Sequence, residues 1–138
     1  MLNTYNSSSQ TVSTGENIAF AANRILTGCA MSHAVGGDTI VLNKVGYYQI
    51  TFDGTGAATE AQTSPIKVQL YNGATAIPGG TASALSTATT DIANFSFSTI
   101  VPVRCSCPAV DNTVNLTVQN TGVDATFSNA NLTVVRLA

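Results

Sequence analysis

A chain of 138 residues and 14.1 kDa has the length of one domain, enough to bury a single core and too short to join a catalytic domain to a regulatory one. Charged residues make up 9% of it, the net charge is -2 and the pI is about 4.9, so no basic field collects phosphates and nucleic-acid binding is not expected. No apolar run approaches the roughly 18 to 20 residues that cross a bilayer. With no Trp, one His and two Glu, the chain holds few of the side chains that carry acid–base chemistry, and a soluble domain without membrane insertion is expected.

Residues 1–10 are polar and rich in Ser and Asn, so they are expected to form a flexible tail or an adaptor to a neighbouring element, with the folded domain over residues 11–138. The same stretch lacks the basic and apolar regions of a secretory signal, which predicts that the chain is not exported by that route. Ile18 to Phe20, Arg24 to Leu26 and Thr39 to Leu42 are strand candidates, with a Gly36-Gly37-Asp38 turn before the last. From Tyr47 to Phe52 the residues alternate with a period of two, sending Tyr48, Ile50 and Phe52 to one face and Tyr47, Gln49 and Thr51 to the other. Asp53-Gly54 follows as a turn signal. Ile66, Val68 and Leu70 alternate with Lys67, Gln69 and Tyr71 and run into Asn72-Gly73, a strong hairpin signal.

Gly79 to Thr90, rich in Gly, Ala, Ser and Thr, reads as a long loop. Ile92 to Val103 places Phe95 and Phe97 on one face and Asn94, Ser96 and Ser98 on the other, until Pro102 limits pairing. Asp111-Asn112 is a further turn signal. Val114, Leu116 and Val118 alternate with Asn115, Thr117 and Gln119, and Leu132 and Val134 alternate with Thr133 and Val135. Helix signals are nearly absent, and short strands punctuated this regularly predict an all-β sandwich or barrel of eight to ten strands. The predicted core includes Tyr48, Ile50, Phe52, Val68 and Leu70.

Three landmarks stand in a fixed order: the strand Gly46-Tyr47-Tyr48-Gln49-Ile50-Thr51-Phe52, the strand and turn Val68-Gln69-Leu70-Tyr71-Asn72-Gly73, and a small-residue turn with a final apolar strand from Thr126 to Leu137. Together they resemble the tumour necrosis factor-like jelly rolls over residues 12 to 138, in particular the short bacterial and phage versions related to complement globular heads and to spore-surface collagen-like glycoproteins. The resemblance implies a jelly roll of about ten strands that assembles as a homotrimer, with the outward side of one sheet facing the three-fold axis. Residues assigned to that implied interface are Tyr47, Gln49 and Thr51, with Asn115, Thr117 and Gln119. Two features of the sequence agree with such an interface: the charged fraction falls well below the quarter to a third usual for a solvated surface, and Tyr47 lies opposite Tyr48. Extended receptor-binding loops, a membrane anchor and a collagen stalk are not visible, so a cytokine role is not expected and any stalk would lie in a partner.

Cys29, Cys105 and Cys107 are an odd number, and Cys105-Ser-Cys107 lacks the C-x-x-C spacing of zinc and redox sites. Buried or semi-buried free thiols are expected, the alternatives being a pairing with Cys29 or a contact across subunits. His33 is a candidate metal ligand or general base, though without a placed partner it reads as a surface or loop residue. Asp38, Asp53, Asp111 and Asp124 could bind calcium, as loops of some complement-like heads do, but each is read first as turn chemistry. Asn6, Asn94, Asn115 and Asn131 open Asn-x-Ser/Thr triplets, which alternation of Asn and Thr on strands produces without glycosylation.

No nucleophile elbow, phosphate-binding glycine loop or H-E-x-x-H motif occurs, so neither a catalytic residue, a metal site nor a cofactor is assigned. The expected function is a non-enzymatic trimeric structural or recognition module on a phage particle, a spore or a cell surface, partnered by itself and by a stalk, capsid or surface protein. The alternatives are a purely structural decoration or trimerisation cap, and a carbohydrate-binding β-sandwich that stacks sugars on Tyr5, Tyr47 or Tyr71.

Overall fold

A computed structural model describes residues 1–105 and 113–138, and every regular element among them is a β-strand. Eleven strands follow in order: β1 Leu2–Asn6, β2 Gln10–Val12, β3 Ala22–Leu26, β4 Met31–His33, β5 Ile40–Leu42, β6 Gly46–Ala58, β7 Ile66–Asn72, β8 Thr75–Ala84, β9 Ala93–Val103, β10 Val114–Asn120 and β11 Ala125–Arg136. The first sheet has the order β3-β1-β11-β6-β9, with β2 also paired to β11, and the second has the order β4-β5-β10-β7-β8. From β5 onward the chain alternates between the sheets, apart from the β7–β8 hairpin, and this alternation makes two antiparallel sheets into a jelly-roll sandwich.

The period of two works as the alternation predicts. Tyr48, Ile50 and Phe52 of β6 and Val68 and Leu70 of β7 are fully buried between the sheets, at about 1.5 to 3 kcal/mol for each large apolar side chain removed from water. Phe52 and Phe97, directly opposite each other on β6 and β9, stack with ring centroids 5.3 Å apart, and Phe95 tilts against Phe127 at 5.8 Å. The Tyr48 hydroxyl, at the end of this core, donates to Lys44 O at 2.7 Å.

Several sequence expectations are corrected. Residues 1–10 are not a tail: β1 lies in the interior of the first sheet, hydrogen-bonded to β11 on one side and β3 on the other, with Leu2 and Thr4 fully buried. Polar composition misled because these polar groups find partners far along the chain. Asp53-Gly54 is not a turn, since β6 runs through it for 13 residues. A Cβ on Gly54 would stand 3.0 Å from the Phe52 ring and 3.1 Å from Asn129 O, so packing calls for the glycine. Ile18 and Phe20 are fully buried but lie outside any strand, and the first part of the Gly79 to Thr90 stretch belongs to β8. Asn72-Gly73 does close a hairpin, shifted by one residue: Asn72 pairs with Thr75, and Gly73 at φ +59° with Ala74 forms the two-residue turn of the II′ kind.

Candidate functional site

The outer face of the first sheet is built by the residues that alternate with the core. Along β6 these are Tyr47, Gln49, Thr51, Asp53 and Thr55, and register continues each of them across the neighbouring strands. Gln49 lies between Val135 and Ile100, Thr51 between Thr133 and Ser98, Asp53 between Asn131 and Ser96, and Thr55 between Asn129 and Asn94. Tyr47 sits beside Pro102. One end of the face is therefore apolar and the remainder is paved with small polar groups, neutral apart from Asp53. At the apolar end Tyr47 is 57% exposed and Ile100 55%, and Leu137, whose amide donates to Tyr47 O, is 52% exposed.

In its polar part the face dips into a groove of about 560 Å³ whose lining includes Asn3, Tyr5, Arg24, Asp53, Asn131 and Thr133. Asn3 Nδ2 donates to Asn131 Oδ1 at 2.8 Å and to Thr133 Oγ1 at 2.9 Å, which holds the floor of the groove rigid. Thr55 and Ser128 hydroxyls meet at 2.9 Å on the same face. Asp53 is the sole charged side chain among the outward positions of β6, and Arg24 brings an opposite charge to the same groove.

The residues assigned from sequence to an interface are divided by the fold. Tyr47, Gln49 and Thr51 share the outer face of the first sheet, whereas Asn115, Thr117 and Gln119 lie on β10 and face outward from the second. Thr117 is opposite Tyr71 and Gln119 opposite Gln69, and Gln119 Nε2 donates to Gly15 O at 2.9 Å. Alternation locates a residue on an outward side without revealing which sheet its strand joins. The tyrosines are split in the same way, with Tyr5 and Tyr47 on the first face and Tyr71 on the second.

His33 is neither a surface nor a loop residue. It lies on β4, 7% exposed, with both ring nitrogens in hydrogen-bond contact with Asn23, Thr4 and Gly37. Asp38 accepts from Asn17 Nδ2 at 2.9 Å and from the Thr39 hydroxyl at 2.9 Å. Chiefly the Asn17 bond holds the Asp38 carboxyl below the ordinary carboxylate range, against partial burial that pushes it up. Asp124 accepts from the Thr14 backbone N–H at 2.8 Å, so it too serves a turn. Asp53 is on the outer face of β6, and the structure does not gather the three aspartates into one site; Asp111, like Cys107, lies outside the described residues.

Cys29 and Cys105 are free and exposed, which corrects the expectation of buried thiols. A hydrogen bond and the positive charge of Lys44 hold the Cys29 thiol below its ordinary range. Sequence reasoning missed two buried amides. Asn3 fastens the groove floor, and Asn120 donates to Val12 O and Val123 O at 2.9 Å each. Their partners are up to 130 residues away, so no local pattern could have found them.

No family model and no curated protein matches the sequence. Among solved structures the chain is similar to Eiger TNF from S. frugiperda, at 12% identity over 99% of this chain and 92% of that one, with a TM-score of 0.67. It is likewise similar to the PRD1 vertex protein P5, at 14% identity over 99% and 96% of the two chains and a TM-score of 0.61. Murine APRIL superposes over 95% of this chain and 97% of its own, at 8% identity and a TM-score of 0.56. Sequences so far apart that share nearly their whole length share a fold, and the chain has a jelly-roll sandwich fold like that of these structures.

Proposed function

We propose that the chain is a non-enzymatic module that assembles as a homotrimer through the outer face of its first sheet and acts by assembly and recognition on a phage particle, a spore or a cell surface. One observation carries this reading: an apolar end, with Tyr47 57% and Ile100 55% exposed, continues into an almost uncharged polar face. Large apolar side chains left in water on adjacent strands mark a surface that gains by being covered. The neutral Asn, Thr and Ser rows can exchange hydrogen bonds with a second copy, and Asp53, the one charge among the outward positions of β6, shares its groove with the opposite charge of Arg24.

The same geometry favours Tyr47, Gln49 and Thr51 as interface residues over Asn115, Thr117 and Gln119, because a contact on the outer side of the first sheet does not bury the outward side of the second. Likeness over almost the full length to a vertex protein supports placement on a particle. A stalk, capsid or surface protein is the partner this reading requires. Trimerisation then gives three linked copies of each loop, and avidity follows without any new contact.

The test is solution mass by size-exclusion chromatography with light scattering. Three chains of 14.1 kDa give about 42 kDa for wild type. Tyr47→Arg should fall to the mass of one chain, and Thr117→Arg, on the other face, should leave the trimer intact. A monomeric wild type would end the proposal. Dissociation by Thr117→Arg with none by Tyr47→Arg would move the interface to the second sheet.

A further inference from the structure

His33 is the chain's single histidine, and its ring joins the two sheets at the edge where β3 and β4 meet. Nδ1 lies 2.6 Å from Asn23 Oδ1 and 3.3 Å from Thr4 Oγ1, and Nε2 lies 2.9 Å from the carbonyl oxygen of Gly37. Each of these oxygens is in a position only to accept. The Asn23 amide is oriented by its nitrogen, which donates to the His33 carbonyl at 3.0 Å and leaves Oδ1 toward the ring. The Thr4 hydroxyl gives its proton to Ala22 O at 2.9 Å. Gly37 O already accepts from Phe20 N at 3.0 Å and has no proton to offer.

A neutral imidazole carries a proton on one nitrogen and a lone pair on the other. Either tautomer would therefore set a ring lone pair against an oxygen lone pair, at 2.6 Å on one side or at 2.9 Å on the other. Only the doubly protonated ring satisfies both contacts. We propose that the folded chain holds His33 as an imidazolium, a proton-operated latch that ties β4 of the second sheet to β1 and β3 of the first and to the 34–39 loop.

The surroundings suit a cation. Asp38, next to Gly37, is the acidic group of the adjoining loop; its carboxyl accepts from Asn17 and Thr39, and the ring's charge is the smallest of the influences that hold it down. β1 contributes Thr4 and β3 contributes Asn23, neither of which titrates, while Arg24 lines the groove on the outward side of its sheet. Phe20 packs edge-on with ring centroids 6.2 Å apart and adds no charge. Raising the pH removes the proton and with it one of the two ring contacts. The latch thus stabilises the sandwich at low pH and is lost as the ring deprotonates.

Nitrogen-15 NMR of the wild-type chain reads the state directly, since one histidine gives one pair of ring signals. At about pH 7.5, where a free imidazole is mostly neutral, both ring nitrogens should resonate as protonated in the folded chain and revert in denaturant. One unprotonated ring nitrogen in the folded chain under those conditions overturns the proposal. Thermal unfolding of wild type and His33→Gln supplies a second readout in which every other group titrates in both proteins. The wild-type midpoint should lose on the order of 5 °C relative to the variant between about pH 6 and pH 9. Parallel pH profiles would also overturn the latch.

Discussion

At the scale of single residues, the same side chain on the same strand does opposite things depending on which way it points. Asn120 closes β10 fully buried, donates twice at 2.9 Å to Val12 O and Val123 O, and accepts from Gly122 N at 3.0 Å. It fastens β2 and the β10–β11 turn to the core at once. Asn115, on the outward side, is exposed. Truncating Asn120 to Ala removes three hydrogen bonds, leaving Gly122 N only its longer bond to Lys67 O at 3.3 Å, and should cost about 3 kcal/mol, near 10 °C in melting temperature. Asn115→Ala should change stability by less than about 0.5 kcal/mol. Thermal unfolding of the two variants side by side checks the contrast, and equal effects would mean that water replaces the Asn120 amide without cost.

At the scale of elements, β1 decides how the first sheet is held together. It bridges β3 and β11, and its inward residues Leu2, Thr4 and Asn6 are buried. Removing residues 1–9 should therefore abolish the cooperative thermal transition, since Leu2 alone accounts for about 2 to 5 kcal/mol and the neighbours would lose a whole ladder. Circular dichroism against temperature distinguishes this from the unchanged melting that loss of a disordered tail would give. The example also shows where sequence reasoning stops. β6, β7, β9 and β10 were legible because most of their inward residues are apolar, Thr99 and Asn120 being exceptions, so alternation in polarity mirrors alternation in space. In β1 two of the three inward residues are polar, and their acceptability rests on partners such as Ala22 O for Thr4 and Ser8 O for Asn6. Asp53-Gly54 carries turn chemistry in its residue types, yet the Phe52 ring beside Gly54 decides its place. For the candidate face, the outward direction of Tyr47 and of Asn115 could be read locally. Their assignment to different sheets could not, because it depends on strand order set by pairings such as Leu2 with Val134.

At the scale of the whole molecule, the outward apolar end of the first sheet and the low charge of the chain act on the same equilibrium. Tyr47 and Ile100 remain more than half exposed in the single chain, and at about 25 cal/mol per Å² their burial between copies adds stability that an isolated sandwich lacks. If the folded chain is a trimer and the unfolded chain is not, unfolding releases three molecules from one and its midpoint must rise with concentration. A hundredfold increase changes the free energy per chain by two-thirds of RT ln 100, about 1.8 kcal/mol, or about 6 °C for a domain of this size. Tyr47→Arg places a charge in the apolar end of the contact and should abolish the dependence while leaving the monomer's cooperative transition intact, because Tyr47 contributes nothing to the core between the sheets. Scanning calorimetry of wild type and variant across that range of concentration reads both effects. A wild-type midpoint that stays fixed would show that folding and assembly are uncoupled and that the apolar end of the face is covered by something other than this chain.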